Sequence, residues 1–440
     1  MASSILLDGL NLALKTGTGI ATYGRGVMAV ARHHGYGTAL LHASAGRMPA
    51  DPTLQEVLLF DDTSDTVMSK RRRLKRWLKR KAGAPGGLSL NAISMQGIVV
   101  ARSFNRHLSE VDRIFAHDDL FGLARGHFKS YGRPLSLKLD HQPDVFHSTY
   151  PLPIAVKSVP SIQTIHDLVP LRLPYLTEDN KRYYYRMVRA LTQQADHIVT
   201  VSETSRRDII KLFGVDEARI TNTYQAVDLP AEVLQRDAGA VADEIAGVFD
   251  LGWKKYFLFF GALEPKKNVM RLIEAYLAAR CDIPLVIVGS AGWKAETERK
   301  MLEDGRFGYY ELSDKRVTYQ QKIRRFEYVS LPMLISLIRG ARGVVFPSLY
   351  EGFGLPVLEA MMLGTPVISS TEGSIPEVAA DAAILVDPYD VGALTKAIKA
   401  LARDDDLLAH YSEAGPMRAA EFSFEKYATR MGSIYRDVID

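Results

Sequence analysis

Phe346-Pro347-Ser348-Leu349-Tyr350-Glu351-Gly352-Phe353-Gly354-Leu355-Pro356-Val357-Leu358-Glu359-Ala360 reads as the end of a strand, a glycine-bearing loop and the start of a helix. Val344–Phe346 is apolar without alternation, as a strand covered on both faces must be. Pro356 stands in the first helical turn, where the missing N–H costs nothing, and Gly364-Thr365-Pro366 ends the helix. Val367–Ser369 then supplies the next strand. Strand, helix and strand with so short a return imply parallel pairing in a helix-covered sheet.

Outward from this unit the same rhythm recurs in both halves of the 440-residue chain. Upstream of it in the second half, short apolar runs mark strands at Tyr256–Phe260, Leu285–Val288 and Val317–Tyr319, and downstream at Ile384–Val386. The first half offers Ile5–Leu7, Thr38–Leu41, Val57–Phe60, Ile114–Ala116, Val145–His147, Ile162–Ile165 and Ile198–Val201. Helical segments such as Met270–Ala279 and Pro356–Leu363 separate them. The pattern predicts two Rossmann-like, doubly wound α/β domains facing each other across a cleft. The break falls near 229–252, which gives domains of 1–235 and 236–420.

In such sheets ligands sit beyond the carboxyl ends of the strands, so the loops after strands hold the candidate chemistry. In the quoted stretch, the helix start offers unpaired amides and a positive dipole end for phosphate. Gly352 and Gly354 let a ligand approach the backbone, and Glu351 and Glu359 can accept from sugar or ribose hydroxyls. The plainer alternative makes Glu351 a helix cap and Glu359 a solvated side chain. A second loop, Gly261-Ala262-Leu263-Glu264-Pro265-Lys266-Lys267-Asn268, brings two lysines to a helix start, with Asn268 as the expected N-cap. Two exposed lysines on a turn are the competing reading.

A third loop, Thr16-Gly17-Thr18-Gly19-Ile20-Ala21-Thr22-Tyr23-Gly24, resembles a phosphate loop, yet position 22 breaks Gly-x-Gly-x-x-Gly. The fourth is Thr164-Ile165-His166-Asp167-Leu168, where His166 can donate to a sugar hydroxyl or exchange a proton, or simply pack. His147 ends another strand and favours packing. All four loops suit one ligand type, a phosphorylated sugar.

Composition sets the remaining bounds. The single cysteine, Cys281, excludes a disulfide framework and a multi-cysteine metal site, and fits a cytoplasmic setting. The first residues lack a basic-then-apolar leader, and no run reaches the ~20 apolar residues of a bilayer span. Residues 70–81 hold nine basic residues and no acid, more than the whole net charge of +4. Leu74, Trp77 and Leu78 fall at helical spacing within them. An apolar stripe set among cations suits a helix on an anionic membrane. A solvated insert is the bland alternative, and nucleic acid lacks an aromatic platform or motif.

With these residues quoted, the chain resembles glycosyltransferase family four, of the GT-B fold. The Glu-x7-Glu motif of that family is similar to Glu351–Glu359, Gly261–Asn268 resembles its Gly-Thr-Leu-Glu-Pro-Arg-Lys-Asn, and Thr18–Tyr23 its Ser-Gly-Ile-Gly-Arg-Tyr. Phe422-Ser423-Phe424-Glu425 resembles the start of the family's final helix, here 421–440, which returns to the N-terminal domain. The resemblance implies a retaining, metal-independent transferase with no cofactor. It implies that Lys267, helped by Lys266, binds the donor diphosphate, and that Glu351 with the amides of Phe353, Gly354 and Leu355 holds sugar and phosphate. Glu359 would take the ribose, Gly19 would admit the diphosphate, and His166 would lie at the reacting face. Glu351→Ala is expected to stop transfer with little change in folding.

Three departures stand out: Ala262 where some members carry arginine, Ala21-Thr22 where Gly-Arg is common, and a segment of about 61–110 without a counterpart. The implied partners are a nucleotide-sugar, GDP-mannose first and UDP- or dTDP-sugars next, and a glycan or lipid-linked glycan acceptor. Residues 70–81 would add an anionic membrane surface on the inner face. A phosphorylase, an epimerase, or a non-catalytic glycan-binding protein on the same fold are the rivals. A metal-dependent transferase would need an Asp-x-Asp, for which neither Asp61-Asp62 nor Asp118-Asp119 qualifies.

Overall fold

The structure is a computed structural model. It describes residues 3–440 apart from 13–18, 45–47, 61–69, 94, 101–107, 109, 228, 230, 291, 293–307 and 314–315. The chain divides into two compact units, one of 1–171, 179–226 and 424–440, the other of 172–178 and 227–423. Each is a helix-flanked, mostly parallel sheet.

In the second unit the six-stranded sheet runs, edge to edge, Ile323–Phe326, Leu285–Val288, Phe257–Phe260, Gly343–Phe346, Val367–Ser370 and Ile384–Val386, all parallel. Phe257–Phe260, Leu285–Val288 and Gly343–Phe346 are buried at every position, which is why their sequences are apolar throughout. The chain lays strands outward in one direction from Phe257–Phe260, then returns to start the other direction at Gly343–Phe346. The order therefore reverses between those two central strands, and the loops that leave them open a crevice there. Those loops are Gly261–Asn268 and Pro347–Gly354.

The first unit repeats the plan in an eight-stranded sheet among the described residues. Its order is Ile220–Asn222, His197–Thr200, Ser161–Thr164, Val145–Ser148, Ser4–Asp8, Gly37–Ser44, Arg113–Asp118 and Ala92–Ile93. Only the edge pair of Ala92–Ile93 with Arg113–Asp118 is antiparallel. Here the order reverses between Ser4–Asp8 and Val145–Ser148. The final helix, Phe424–Ile439, belongs to this unit, and buries Tyr427, Met431 and Tyr435. It lies against the helix Gly19–His33, where His34 Nε2 and the Ala428 carbonyl are 2.9 Å apart.

Two strand expectations are corrected. Val57–Phe60 is the end of a helix, Pro52–Phe60. Asp51 accepts from the Leu54 amide at its start and Pro52 opens it, a capping signal stronger than the apolar quartet. Its buried face carries Glu56 and Leu59, while Val57 and Leu58 point outward. Val317–Tyr319 is extended, but in an antiparallel hairpin of Gly308–Ser313 with Arg316–Gln321, and Ile323–Phe326 takes the sheet edge. Leu135–Leu139, absent from the sequence reading, is the centre of a separate three-stranded parallel sheet with Leu88–Leu90 and Ile154–Val156.

Candidate active site

The two loops at the switch point of the second unit are tied together through a buried ion pair. Lys267 Nζ donates to Glu351 Oε1 at 2.6 Å, Lys266 Nζ lies 3.7 Å from Oε2, and Ser348 Oγ donates to Oε1 at 2.7 Å. The Leu349 amide donates to the Lys266 carbonyl at 2.8 Å, which fixes the two loops against each other. Lys267 Nζ also sits 4.6 Å from the centre of the Phe346 ring. Glu351 is only 6% exposed. Burial alone would raise its carboxyl, but Lys267 and then Lys266 overcome that and hold it down at about 2. Burial pushes the Lys267 ammonium below the usual lysine range, and the Glu351 carboxylate pulls it back. The Glu351 carboxylate is ionised at neutral pH.

The backbone of Glu351 is equally constrained. Ser374 donates to its carbonyl through both its amide, at 3.2 Å, and its hydroxyl, at 3.0 Å. Gly373, at φ 64°, approaches so closely that a Cβ there would lie 2.8 Å from the Glu351 nitrogen. Gly354 opens the helix Leu355–Met362 at φ 99°, and a Cβ on it would meet Ile375 at 2.5 Å. Among the described residues no side chain caps this helix; Pro356 brings no N–H to its first turn, and the Val357 and Leu358 amides donate to the Gly354 carbonyl at 3.0 and 3.2 Å. Phe353 is buried with its ring edge-on to Phe422, centroids 5.6 Å apart.

Glu359 is half-buried on the same helix, and its carboxyl has no hydrogen bond or ion pair among the described residues. Burial alone pushes it up to about 7. Asn268 departs from the expected N-cap. At φ 60°, it makes no side-chain cap. Instead its Nδ2 donates to the Pro347 and Pro388 carbonyls at 3.1 and 2.8 Å, stitching three loops. The serine that completes the Glu351 cluster, Ser348, was not singled out from the sequence, although it stands three residues away within the same stretch.

In the first unit, Gly19 is the exposed first residue of the helix Gly19–His33. Thr16, Gly17 and Thr18 lie outside the described residues. Tyr23, one turn on, meets the His166 ring edge-on at 4.7 Å. His166 Nε2 donates to the Thr149 carbonyl at 2.8 Å, and Ser205 Oγ donates to the His166 carbonyl at 2.7 Å. Burial lowers the His166 pKa, so the ring is neutral. His147 is fully buried between Tyr435 OH and Thr164 Oγ1, at 2.7 and 2.8 Å, which is the packed reading. Sequence reading missed Asp8 and Thr149, which lie at the switch point of this sheet. Thr149 donates to Asp8 Oδ2 through its amide and, at 2.8 Å, through its hydroxyl.

The family model described as Glycosyl transferases group 1 matches residues 248–418, and that described as Glycosyltransferase Family 4 matches 98–230. The chain is 33% identical over 287 residues to the O-antigen chain mannosyltransferase B of Escherichia coli, covering 63% of this chain and 70% of the relative. The chain belongs to the family 4 glycosyltransferases. To the O-antigen chain mannosyltransferase RfbU of Salmonella typhimurium it is 27% identical over 270 residues, 61% of this chain and 67% of that one. Among solved structures, HepE of Anabaena in complex with UDP-glucose is similar at TM-score 0.64 and 14% identity, over 99% of this chain and all of that one. WaaG, a glycosyltransferase involved in lipopolysaccharide biosynthesis, aligns at TM-score 0.58 and 13% identity, over 98% of this chain and 99% of its own. These likenesses give the GT-B fold.

In this glycosyltransferase the basic segment forms a helix, Lys70–Ala82. Arg76 and Arg80 turn toward the body of the first unit and pair at 2.6 Å with Asp118 and Asp119 respectively. That pairing accounts for the two aspartates. Leu74, Trp77 and Leu78 are each at least half exposed, and Lys81 Nζ lies 4.5 Å from the centre of the Trp77 ring. No helix among the described residues is long and apolar enough to cross a membrane.

Proposed function

We propose that this glycosyltransferase moves a hexose, mannose from GDP-mannose in the first instance, to a glycan or lipid-linked glycan with retention at the anomeric carbon and without a metal ion. The observation that carries the proposal is the Lys267–Glu351–Lys266 cluster at a sheet switch point, beside a helix start that, among the described residues, no side chain caps. Lys267 and Lys266 would meet the diphosphate charge as it leaves, and the amides of Phe353, Gly354 and Leu355 would hold sugar and phosphate oxygens with Glu351. Glu359 would accept from the ribose hydroxyls. Gly19 would leave room for the diphosphate, and His166 would accept or donate at the transferred sugar. Attack from the face that the phosphate leaves then needs little more from the protein than position and charge. The mannosyl reading draws on the likeness to the two O-antigen chain mannosyltransferases, and UDP- or dTDP-sugars are the next donors in order.

Thermal melts with GDP, UDP, dTDP and ADP test this reading, because a ligand at 100 times its Kd adds about 2.7 kcal/mol. GDP is expected to raise the Tm most, and Lys267→Ala to lose the shift. A shift with UDP alone would reassign the base. No shift with any of the four would leave a glycan-binding protein without a donor.

Nucleotide binding should also depend on Glu359. Its carboxyl is largely protonated at pH 6 and ionised at pH 8, and the ionised form is the better acceptor for two hydroxyls. GDP affinity is expected to rise about tenfold across that interval, following the ionised fraction. Calorimetry on Glu359→Gln should find a flat profile; the parent slope surviving there would remove Glu359 from the ribose site.

The exposed face of Lys70–Ala82 is proposed to rest on anionic lipid, each unpaired cation near the surface adding ~1 kcal/mol. Replacing Leu74, Trp77 and Leu78 with Ser should abolish co-sedimentation with phosphatidylglycerol vesicles and leave transfer to a soluble acceptor unchanged. Undiminished sedimentation would refute the membrane reading.

A further inference from the structure

The switch point of the first sheet lies between Ser4–Asp8 and Val145–Ser148, and the residues that leave those two strands are bound to each other. Asp8 is the last residue of its strand and is fully buried. Its Oδ2 takes both donors of Thr149, the amide and the hydroxyl. Among the described residues its Oδ1 has no hydrogen-bond partner, a costly omission for a buried carboxylate. Burial raises this carboxyl to about 6, which still leaves it ionised under assay at pH 7.5. Thr149 in turn presents its carbonyl to His166 Nε2 at 2.8 Å. A carbonyl can only accept, so Nε2 carries the proton. In the neutral ring, Nδ1 is then the bare nitrogen. Tyr23 packs edge-on against the ring and limits its rotation.

We propose that Asp8 is a positioning residue: by gripping both donors of Thr149 it aims the Thr149 carbonyl at His166, fixes the Nε2–H tautomer, and leaves Nδ1 as a hydrogen-bond acceptor for a hydroxyl of the transferred sugar. The proposal rests on the reading that His166 meets that sugar. A carboxylate holding a carbonyl that holds an imidazole does what outer carboxylates do for histidines elsewhere, selecting the nitrogen that bears the proton. The two oxygens of Asp8 are not equivalent in this role, since only Oδ2 is used. An amide with its oxygen at that place can accept from both Thr149 donors, so the geometry needs an acceptor and not a charge.

The test combines steady-state kinetics with nitrogen resonances of His166 in protein labelled with 15N-histidine, assigned by Glu and Gln replacements of His166. In the parent, His166 should show a pyrrole-like Nε2 and a pyridine-like Nδ1. Asp8→Ala should mix the two tautomers and lower kcat by about 10–100-fold, with the donor KM within about threefold of the parent. Asp8→Asn should keep the parent tautomer and a kcat within about fivefold, since its amide oxygen can replace Oδ2. Thr149→Val removes only the hydroxyl arm and should fall between them, which keeps the test open if Asp8→Ala does not fold. A parent-like tautomer and kcat in Asp8→Ala or Thr149→Val would overturn the proposal, as would Asp8→Asn being as slow as Asp8→Ala. Parent-like transfer by His166→Ala would instead overturn the reading on which the proposal rests, and the resonances would still report the tautomer.

Discussion

Glu351→Ala is expected to stop transfer and also to lower the stability of the second unit by about 3–5 kcal/mol, the usual cost of stranding a buried charge. The expectation of unaltered folding, formed from the sequence, does not survive the geometry. Removing this carboxylate leaves Lys267, at 13% side-chain exposure, beside Lys266 with no counter-charge at 2.6 Å. It also strands the Ser348 hydroxyl. The reverse substitution is milder. Lys267→Ala leaves Glu351 with Lys266 at 3.7 Å and with Ser348, so its loss should be the smaller of the two. Replacing both partners by apolar groups, Lys267→Met with Glu351→Leu, should recover much of the stability but none of the transfer. Urea unfolding followed on the transition of the second unit checks the order: Glu351→Ala below Lys267→Ala, with the double variant above Glu351→Ala. If Glu351→Ala unfolds at the parent midpoint, the pair contributes nothing net and the cluster is an exposed one. The pH sign follows from the same pair. With its folded value held near 2 against an ordinary 4.5, the carboxylate stabilises above 4.5, and that contribution disappears as the pH falls through 2.

How far these groups could be read from the sequence depended on distance along the chain. The strand Phe257–Phe260 and the loop with its two lysines were legible because each is local: an unbroken apolar run, then a turn, then a helix. The strand Leu135–Leu139 was not, because Leu-Ser-Leu-Lys-Leu buries alternate residues and offers no such run. The quartet Val57–Phe60 misled because an apolar run is shared by strands and helices, and only Asp51-Pro52 ahead of it tells them apart. Lys267 and Glu351 were each visible, but their pairing spans 84 residues and is made by the sheet order. Asn268 looked like a cap from its neighbours, yet its partners, Pro347 and Pro388, come from loops that the sheet brings in. Asp8 and Thr149 were passed over for the same reason. An acid closing a strand reads as a solvated turn until the strand beside it is known to be Val145–Ser148.

Acidification should expose the cost of His147. This ring is fully buried, shares hydrogen bonds with Tyr435 and Thr164, and feels the charges of His166 and His197. Burial first, then those two histidines, lower its pKa to about 3. Above pH 6.5 the ring is neutral whether the chain is folded or not, and it contributes no pH dependence. Below 6.5 the unfolded chain takes up a proton that the folded chain refuses, so stability falls as the pH falls, by about 2 kcal/mol between 6.5 and 5. The parent curve will not show this plainly, because Asp8 works in the opposite sense. Its folded carboxyl, raised to about 6, binds a proton before the unfolded one does, and so gains stability as the pH falls from 6 toward 3.8. The readout is therefore a difference. His147→Gln keeps hydrogen bonding toward Tyr435 and Thr164 but cannot titrate, so its stability deficit against the parent, measured by urea unfolding of the first unit, should shrink by about 2 kcal/mol from pH 7 to pH 5. A deficit that stays constant over that range would mean that the folded ring protonates as freely as the unfolded one, and that Tyr435 on the final helix is not held by a neutral histidine.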